Sequence, residues 1–191
     1  MSTPLPLVVV ATAAEAAHLP SSLVVVTTGL GKTAAAIATT RALAERAAAG
    51  EDLSRLEVLN VGSAGALRDG LEGLHVPGTV LNHDISADAI RALGYDPEER
   101  LDVPGGDDTV LATGDVFVSD PVVRARLAEQ AHLVDMEGYA VALAAQRFDV
   151  TVRLVKHVSD NADESAHDWA DVVDHSARAL AEWVERHLDA R

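Results

Sequence analysis

Two short runs in this chain put carboxylates where chemistry is commonly done. In Val134-Asp135-Met136-Glu137-Gly138-Tyr139-Ala140 an acid sits in a Met-Glu-Gly turn that opens an Ala-rich helix. In Val158-Ser159-Asp160-Asn161-Ala162-Asp163 another acid comes where an apolar run ends. Two acids delivered from neighbouring elements to one rim of a sheet suit cleavage of a sugar bond, one holding hydroxyls while the other attends to the leaving group. Glu137 follows Leu133-Val134 and so lies near the buried sheet. A buried carboxylate is costly unless it is hydrogen-bonded, and a sugar diol would supply the bonds. The plainer alternatives are a helix N-terminal acid for Glu137 and a turn cap for Asp160. A third acid, Glu15, comes just past the first apolar run, in Ala11-Thr12-Ala13-Ala14-Glu15. Alone it reads as a helix-start acid suited to the helix dipole; its position at a strand end, where open α/β sheets bind ligands, is the counterweight.

The elements that must carry these acids are visible as Val/Leu runs. Strands are expected at 6–11, 23–28, 56–61, 78–83 and 151–158, with a sixth at 109–112 that continues past Gly114-Asp115 into Val116-Phe117-Val118. Most are continuously apolar, as strands buried on both faces are. Helices are expected at 32–49, stopped by Gly50, and at 121–129, 137–148 and 165–188. The last has Trp169, Val172, Val173, Ala177, Leu180, Trp183, Val184 and Leu188 at helical spacing. Strands alternating with helices predict an α/β layer fold with a largely parallel sheet. Residues 101–108, with Pro104-Gly105-Gly106, read as a loop rather than a domain boundary, so 1–191 is read as one domain.

Composition narrows the function. The chain has 191 residues, 3% of them aromatic, so its core must be built from Val, Leu and Ala. Fifteen basic residues against thirty acidic ones give a formal charge of −15. Such a field repels phosphate backbones and anionic lipid heads, which argues against nucleic-acid and membrane partners. With no cysteine there is no thiolate metal site or Cys nucleophile, and the eight histidines show no ligand spacing, so no metal or cofactor is expected. Residues 1–17 contain no Lys or Arg, unlike a secretory leader, and a cytoplasmic location is expected. Gly31-Lys32-Thr33 is not a P-loop, because the position five before Gly31 is Val26. Gly62-Ser63-Ala64-Gly65 reads on its own as a turn closing a strand.

Taken together, five blocks resemble the purine nucleoside phosphorylase/nucleosidase superfamily, and among its branches the 5′-methylthioadenosine/S-adenosylhomocysteine nucleosidases. They are Thr28-Gly29-Leu30-Gly31-Lys32, Asn60-Val61-Gly62-Ser63-Ala64-Gly65, Thr113-Gly114-Asp115-Val116-Phe117-Val118, Val134-Asp135-Met136-Glu137-Gly138 and Val158-Ser159-Asp160-Asn161-Ala162-Asp163. The resemblance implies a three-layer phosphorylase/hydrolase-like fold, with a central mixed, largely parallel twisted sheet flanked by helices. It implies a homodimer that binds a purine nucleoside.

Position by position, the resemblance makes Glu15 the activator of the attacking water. Ser63, in its turn with Ala64 and Gly65, lies beside that water and the ribose. Phe117 and Val118 stack on and edge the purine, Met136 and Glu137 lie under the ribose, and Asp160, beside Ser159, faces the purine N7 and 6-amino edge. Trp169 falls near an aromatic that lines the 5′ pocket. Lys156 stands where the family usually has Arg, keeping the charge but losing the planar fork. Residues 18–23 are too few for the β-hairpin that family members carry there, and 85–99 is trimmed. The implied reaction is hydrolysis of an N-ribosidic bond through an oxocarbenium-like transition state. In it Glu137 stabilises the sugar charge, Asp160 donates to N7 and Glu15 acts as general base.

Overall fold

The computed structural model describes residues 4–163 and 169–191, with the side chains of 169–171 excepted. The strands are β1 (Leu7–Val10), β2 (Val24–Thr27), β3 (Glu57–Ala66), β4 (Leu74–His75), β5 (Pro77–Asn82), β6 (Arg100–Asp102), β7 (Asp107–Thr113), β8 (Leu133–Asp135) and β9 (Thr151–Asp160). The helices are α1 (Lys32–Ala48), α2 (Ala87–Ala92), α3 (Pro121–Ala128), α4 (Gly138–Arg147) and α5 (Trp169–Asp189). The strands form one mixed sheet in the order β2-β1-β3-β8-β7-β5-β6, with β9 beside β3 and β4 beside β9. The pairs β1–β2, β1–β3, β3–β9, β5–β7 and β7–β8 are parallel, and β3–β8, β4–β9 and β5–β6 antiparallel.

Alternation along the strands feeds two layers. Leu7 and Val9 of β1, with Val58 of β3, pack on one face against Ala35 and Leu43 of α1 and Val141, Ala142 and Ala145 of α4. Val8 and Val10, with Leu59, Val61 and Val155, pack on the other against Leu180 and Val184 of α5. A third cluster joins Leu127 of α3 to Ala112, Val134 and Ala162. Each buried Val or Leu contributes about 1.5–3 kcal/mol through removal of apolar surface from water. The alanines of α4 let that helix settle close to the sheet. Among the described residues no helix is long and apolar enough to cross a membrane.

One strand organises everything the acids need. β3 runs between β1 and β9, pairing β1 as far as Val9↔Asn60 and β9 from Glu57 to Ala64. There the register shifts, so that Gly65 lies opposite Asp160 on one side and Val134 on the other. The ends of β8 and β9, where the two acidic runs sit, therefore meet across a single glycine.

Four expectations change. Gly62-Ser63-Ala64-Gly65 lies within β3 rather than in a turn, its small residues serving close packing instead of chain reversal. A Cβ on Gly62 would lie 2.9 Å from Glu15 Oε1, and one on Gly65 2.9 Å from the Ala162 methyl. Strand β7 stops at Thr113 and does not continue into 116–118. His83 packs against Gly114, and Asp115 turns away to bond Lys32 and Asp84, which draws the chain off the sheet. The 101–108 segment holds the end of β6 and the start of β7, which flank β5 on opposite sides. Strands β4, β6 and β8 and helix α2 were not foreseen. The expected helix start at Ser165 lies outside the described residues.

Candidate active site

A cavity of about 350 Å3 opens at the ends of β1, β3, β8 and β9, and Glu15, Glu137 and Asp160 all line it. Ser63, Ala64, Gly65, Phe117, Val118, Met136 and Ser159 line it as well. Each acid reaches it for a different local reason.

Glu15 lies in the turn that follows β1 and is only 4% exposed. Its Oε2 accepts from Thr12 N at 3.0 Å and Thr12 Oγ1 at 3.2 Å. Its Oε1 accepts from Ser63 N at 2.9 Å and Ser63 Oγ at 3.2 Å. The carboxylate is thus folded back onto β3 rather than displayed to solvent as a helix-start acid would be. The missing side chain at Gly62 makes the space.

Glu137 precedes α4 but does not cap it: its side chain makes no bond to its own helix, and Oε1 instead accepts from Gly31 N at 2.8 Å. Gly31 has φ 91°, in the region that favours glycine, so the Gly29-Leu30-Gly31 turn can aim this N–H inward. The turn is braced from outside. Lys32 N donates to Asp115 Oδ1 at 2.7 Å, and Lys32 Nζ donates to Asn82 Oδ1 at 2.7 Å and to Asp84. Burial and the neighbouring Asp135 carboxylate push the Glu137 carboxyl up to about 7, with Glu15 adding to the rise. The Lys156 ammonium and the Gly31 N–H pull the other way.

Asp160 ends β9 and is half-buried. Its Oδ1 accepts from Ala162 N at 2.8 Å and its Oδ2 from Ser159 Oγ at 2.7 Å. It caps a local turn, as the plainer reading had it, while also lining the cavity. Ala162 holds φ 51°, a left-handed conformation that costs a non-glycine residue of order 1 kcal/mol or more.

Lys156 departs from expectation. It does not line the cavity; its side chain is 2% exposed and its Nζ lies 2.8 Å from Asp135 Oδ2, beneath the carboxylates. Lys156 is on β9 beside Gly62, and the lysine stem is drawn inward to the buried Asp135 rather than out to the rim. Burial alone would lower the Lys156 pKa, but Asp135, Glu137 and Glu15 outweigh it and raise it above the ordinary lysine value. Trp169 opens α5, and its side chain lies outside the described residues. The sequence reading missed Thr12, which pins Glu15, and Asp135, whose side chain is 1% exposed. It also missed Leu30 and Val116, which give the cavity mouth an exposed apolar edge. Asp135 was visible as the acid directly before Met136-Glu137, but nothing in its spacing pointed to Lys156.

A buried acid tied to a catalytic-looking hydroxyl, a second acid beside an inward N–H, and a third at a strand end form a site able to hold a polar sugar and handle protons at both its faces. The family model described as the phosphorylase superfamily matches residues 88–189, which include Glu137 and Asp160. The chain is 28% identical over 172 residues to a 5′-methylthioadenosine/S-adenosylhomocysteine nucleosidase of Shewanella frigidimarina, covering 75% of this chain and 70% of that one. It is 29% identical over 157 residues to an aminodeoxyfutalosine nucleosidase of Helicobacter pylori, covering 70% and 68%. The fold matches a crystal structure of the Helicobacter pylori 5′-methylthioadenosine/S-adenosylhomocysteine nucleosidase with a TM-score of 0.84 at 23% identity, over the whole of both chains. With more than half its length matched by that family model, the chain belongs to the phosphorylase superfamily.

Proposed function

We propose that this protein hydrolyses the N-ribosidic bond of adenine nucleosides of the methylthioadenosine/S-adenosylhomocysteine type, releasing adenine. The observation that carries the reading is the meeting of Glu15, Glu137 and Asp160 on one cavity, each held by different donors. In this reading Glu15 takes a proton from the attacking water beside Ser63, and both its oxygens are already oriented for that task. Glu137, in its ionised form, grips the ribose hydroxyls from below with Met136 and steadies the developing sugar cation. Asp160, at the opposite rim with Ser159, attends to the leaving purine, and an ionised Asp160 accepts from a 6-amino group but opposes a 6-oxo group. Phe117 and Val118 form the wall for the base. Lys156 acts through the carboxylates above it.

A phosphorylase needs cationic donors for its nucleophile. Among the described residues the cavity lining contains no Lys or Arg, and Glu15 would repel phosphate; water is therefore the better-supported nucleophile. Residues 1–191 are taken to act as one domain, and a homodimer is part of the same proposal.

The test is adenine release from methylthioadenosine with and without phosphate. Phosphate-independent release supports the reading, and formation of ribose 1-phosphate only when phosphate is present overturns it. Glu15→Gln is expected to cut turnover by roughly 100- to 10,000-fold, the usual worth of a general base, while adenine binding survives. A wild-type protein that binds nucleosides but frees no base over hours would instead be a binding protein.

A further inference from the structure

We propose that Asp135 is a positioning residue of this site, which with Lys156 forms a buried ion pair that fixes the Met136–Glu137 turn and governs the ionisation of Glu137. The inference rests on the nucleosidase reading for its kinetic consequence, but its geometry stands alone.

Asp135 bonds three groups from three different elements, none of them on the cavity wall. Its Oδ1 accepts from Thr113 Oγ1 at 2.5 Å, and its Oδ2 accepts from Gly138 N at 2.8 Å and faces Lys156 Nζ at 2.8 Å. Thr113 Oγ1 in turn accepts from Tyr139 N at 3.0 Å. The first free N–H groups of α4 are therefore satisfied from Asp135 and Thr113, and Glu137 is released from capping its own helix. Its carboxylate is left to meet Gly31 N. A glycine at 138 is required for this: a Cβ there would lie 2.9 Å from Asp135 Oδ2 and 2.6 Å from Leu111 Cδ2.

The charge arrangement is unusual for a purely structural contact. Taking two charges out of water is expensive, and apolar replacements of similar volume are often as stable. This pair lies directly under functional carboxylates instead. The charged groups that face Glu137 are Asp135 from β8, Lys156 from β9 and Glu15 from the turn after β1, joined by the Gly31 N–H from the turn before α1. One ammonium thus serves three carboxylates. Asp135 holds most of that ammonium to itself and adds a like charge of its own, so it keeps Glu137 harder to ionise; Lys156 keeps it from becoming harder still. A substrate diol that donates to Glu137 would tip this balance toward the carboxylate form, so that full charge develops only when sugar is bound.

The pair can be taken apart in opposite directions. Carboxyl 13C NMR of glutamate-labelled protein, with Glu137→Gln used for assignment, reads the Glu137 midpoint without any turnover. Asp135→Asn should lower that midpoint by about one pH unit or more, because the like charge goes and the ammonium is freed for Glu137. Lys156→Met should raise it by a similar amount, and Lys156→Arg should restore it. The doubly neutral D135N/K156M should fall between the two single variants and serves if either single variant fails to fold. The acid limb of kcat/KM for base release should follow the same order. Midpoints that stay put, or that move the same way in Asp135→Asn and Lys156→Met, overturn the proposal. If the wild type frees no base from any nucleoside, the nucleosidase reading falls, while the NMR arm still decides the role of the pair.

Discussion

Replacing Glu137 with Gln should make the protein more stable, and increasingly so as the pH rises. The carboxyl is pushed up to about 7 from an ordinary 4.5, chiefly by burial and then by the charge of Asp135. A raised carboxyl pKa means that the folded protein holds a proton the unfolded chain has already given up. Between pH 4.5 and about 7 unfolding therefore releases a proton, and stability from this group declines as pH climbs through that window. The move corresponds to about 3 kcal/mol, fully lost above the folded midpoint. A glutamine has no proton to lose, and its amide oxygen can still accept from Gly31 N. Urea unfolding of wild type and Glu137→Gln in parallel, at closely spaced pH values, isolates the difference, since most other titrating groups cancel. The gap should be small below pH 4.5, should widen through the window and should level off above it, at about 3 kcal/mol in favour of the variant. A gap that is flat or narrows with pH would refute the burial argument. The same substitution should abolish most activity, the familiar exchange of stability for function at a site that holds a charge out of water.

Three further outcomes follow from packing. Gly65→Ala would set a methyl 2.9 Å from the Ala162 methyl and 3.0 Å from Asp160 Oδ1. Displacing Asp160 in this way should cut base release about 100-fold, read by steady-state kinetics. Gly138→Ala should destabilise by about 1–3 kcal/mol in urea through overpacking against Leu111, and should also loosen Asp135. Leu180→Ala, fully buried where α5 meets the sheet, should cost about 2–5 kcal/mol in the same assay without altering the pH dependence of turnover.

What could be read in advance depended on how many residues an element uses to announce itself. β1 is continuously apolar, and β3 and β9 are rich in Val and Leu, because both faces are covered, and they stood out. β4, β6 and β8 have two or three residues each, too few for any period, and exist because longer neighbours offer them a ladder. The Gly62–Gly65 run was taken for a turn because glycine usually marks one. Here the small residues admit the Glu15 carboxylate and the Ala162 methyl against a straight strand. The positions of the acids were legible from their places at the ends of apolar runs. Their partners were not: Glu137 meets Gly31 across 106 positions, and Asp135 reaches Lys156 from one strand to another, distances along the chain that carry no periodic trace.

The bracing of the Gly29-Leu30-Gly31 turn has a consequence for selectivity. Asp115 grips the Lys32 N–H, and Phe117 lies two residues beyond it on the same short loop. The aromatic side of the hollow and the N–H that anchors Glu137 are thereby mechanically linked. A molecule broad enough to shove Phe117 outward would also pull the Gly31 donor off Glu137. Under the proposed nucleosidase reading, size at one end would then be sensed as slackness at the other, so oversized bases would be rejected by loss of sugar alignment rather than by want of room.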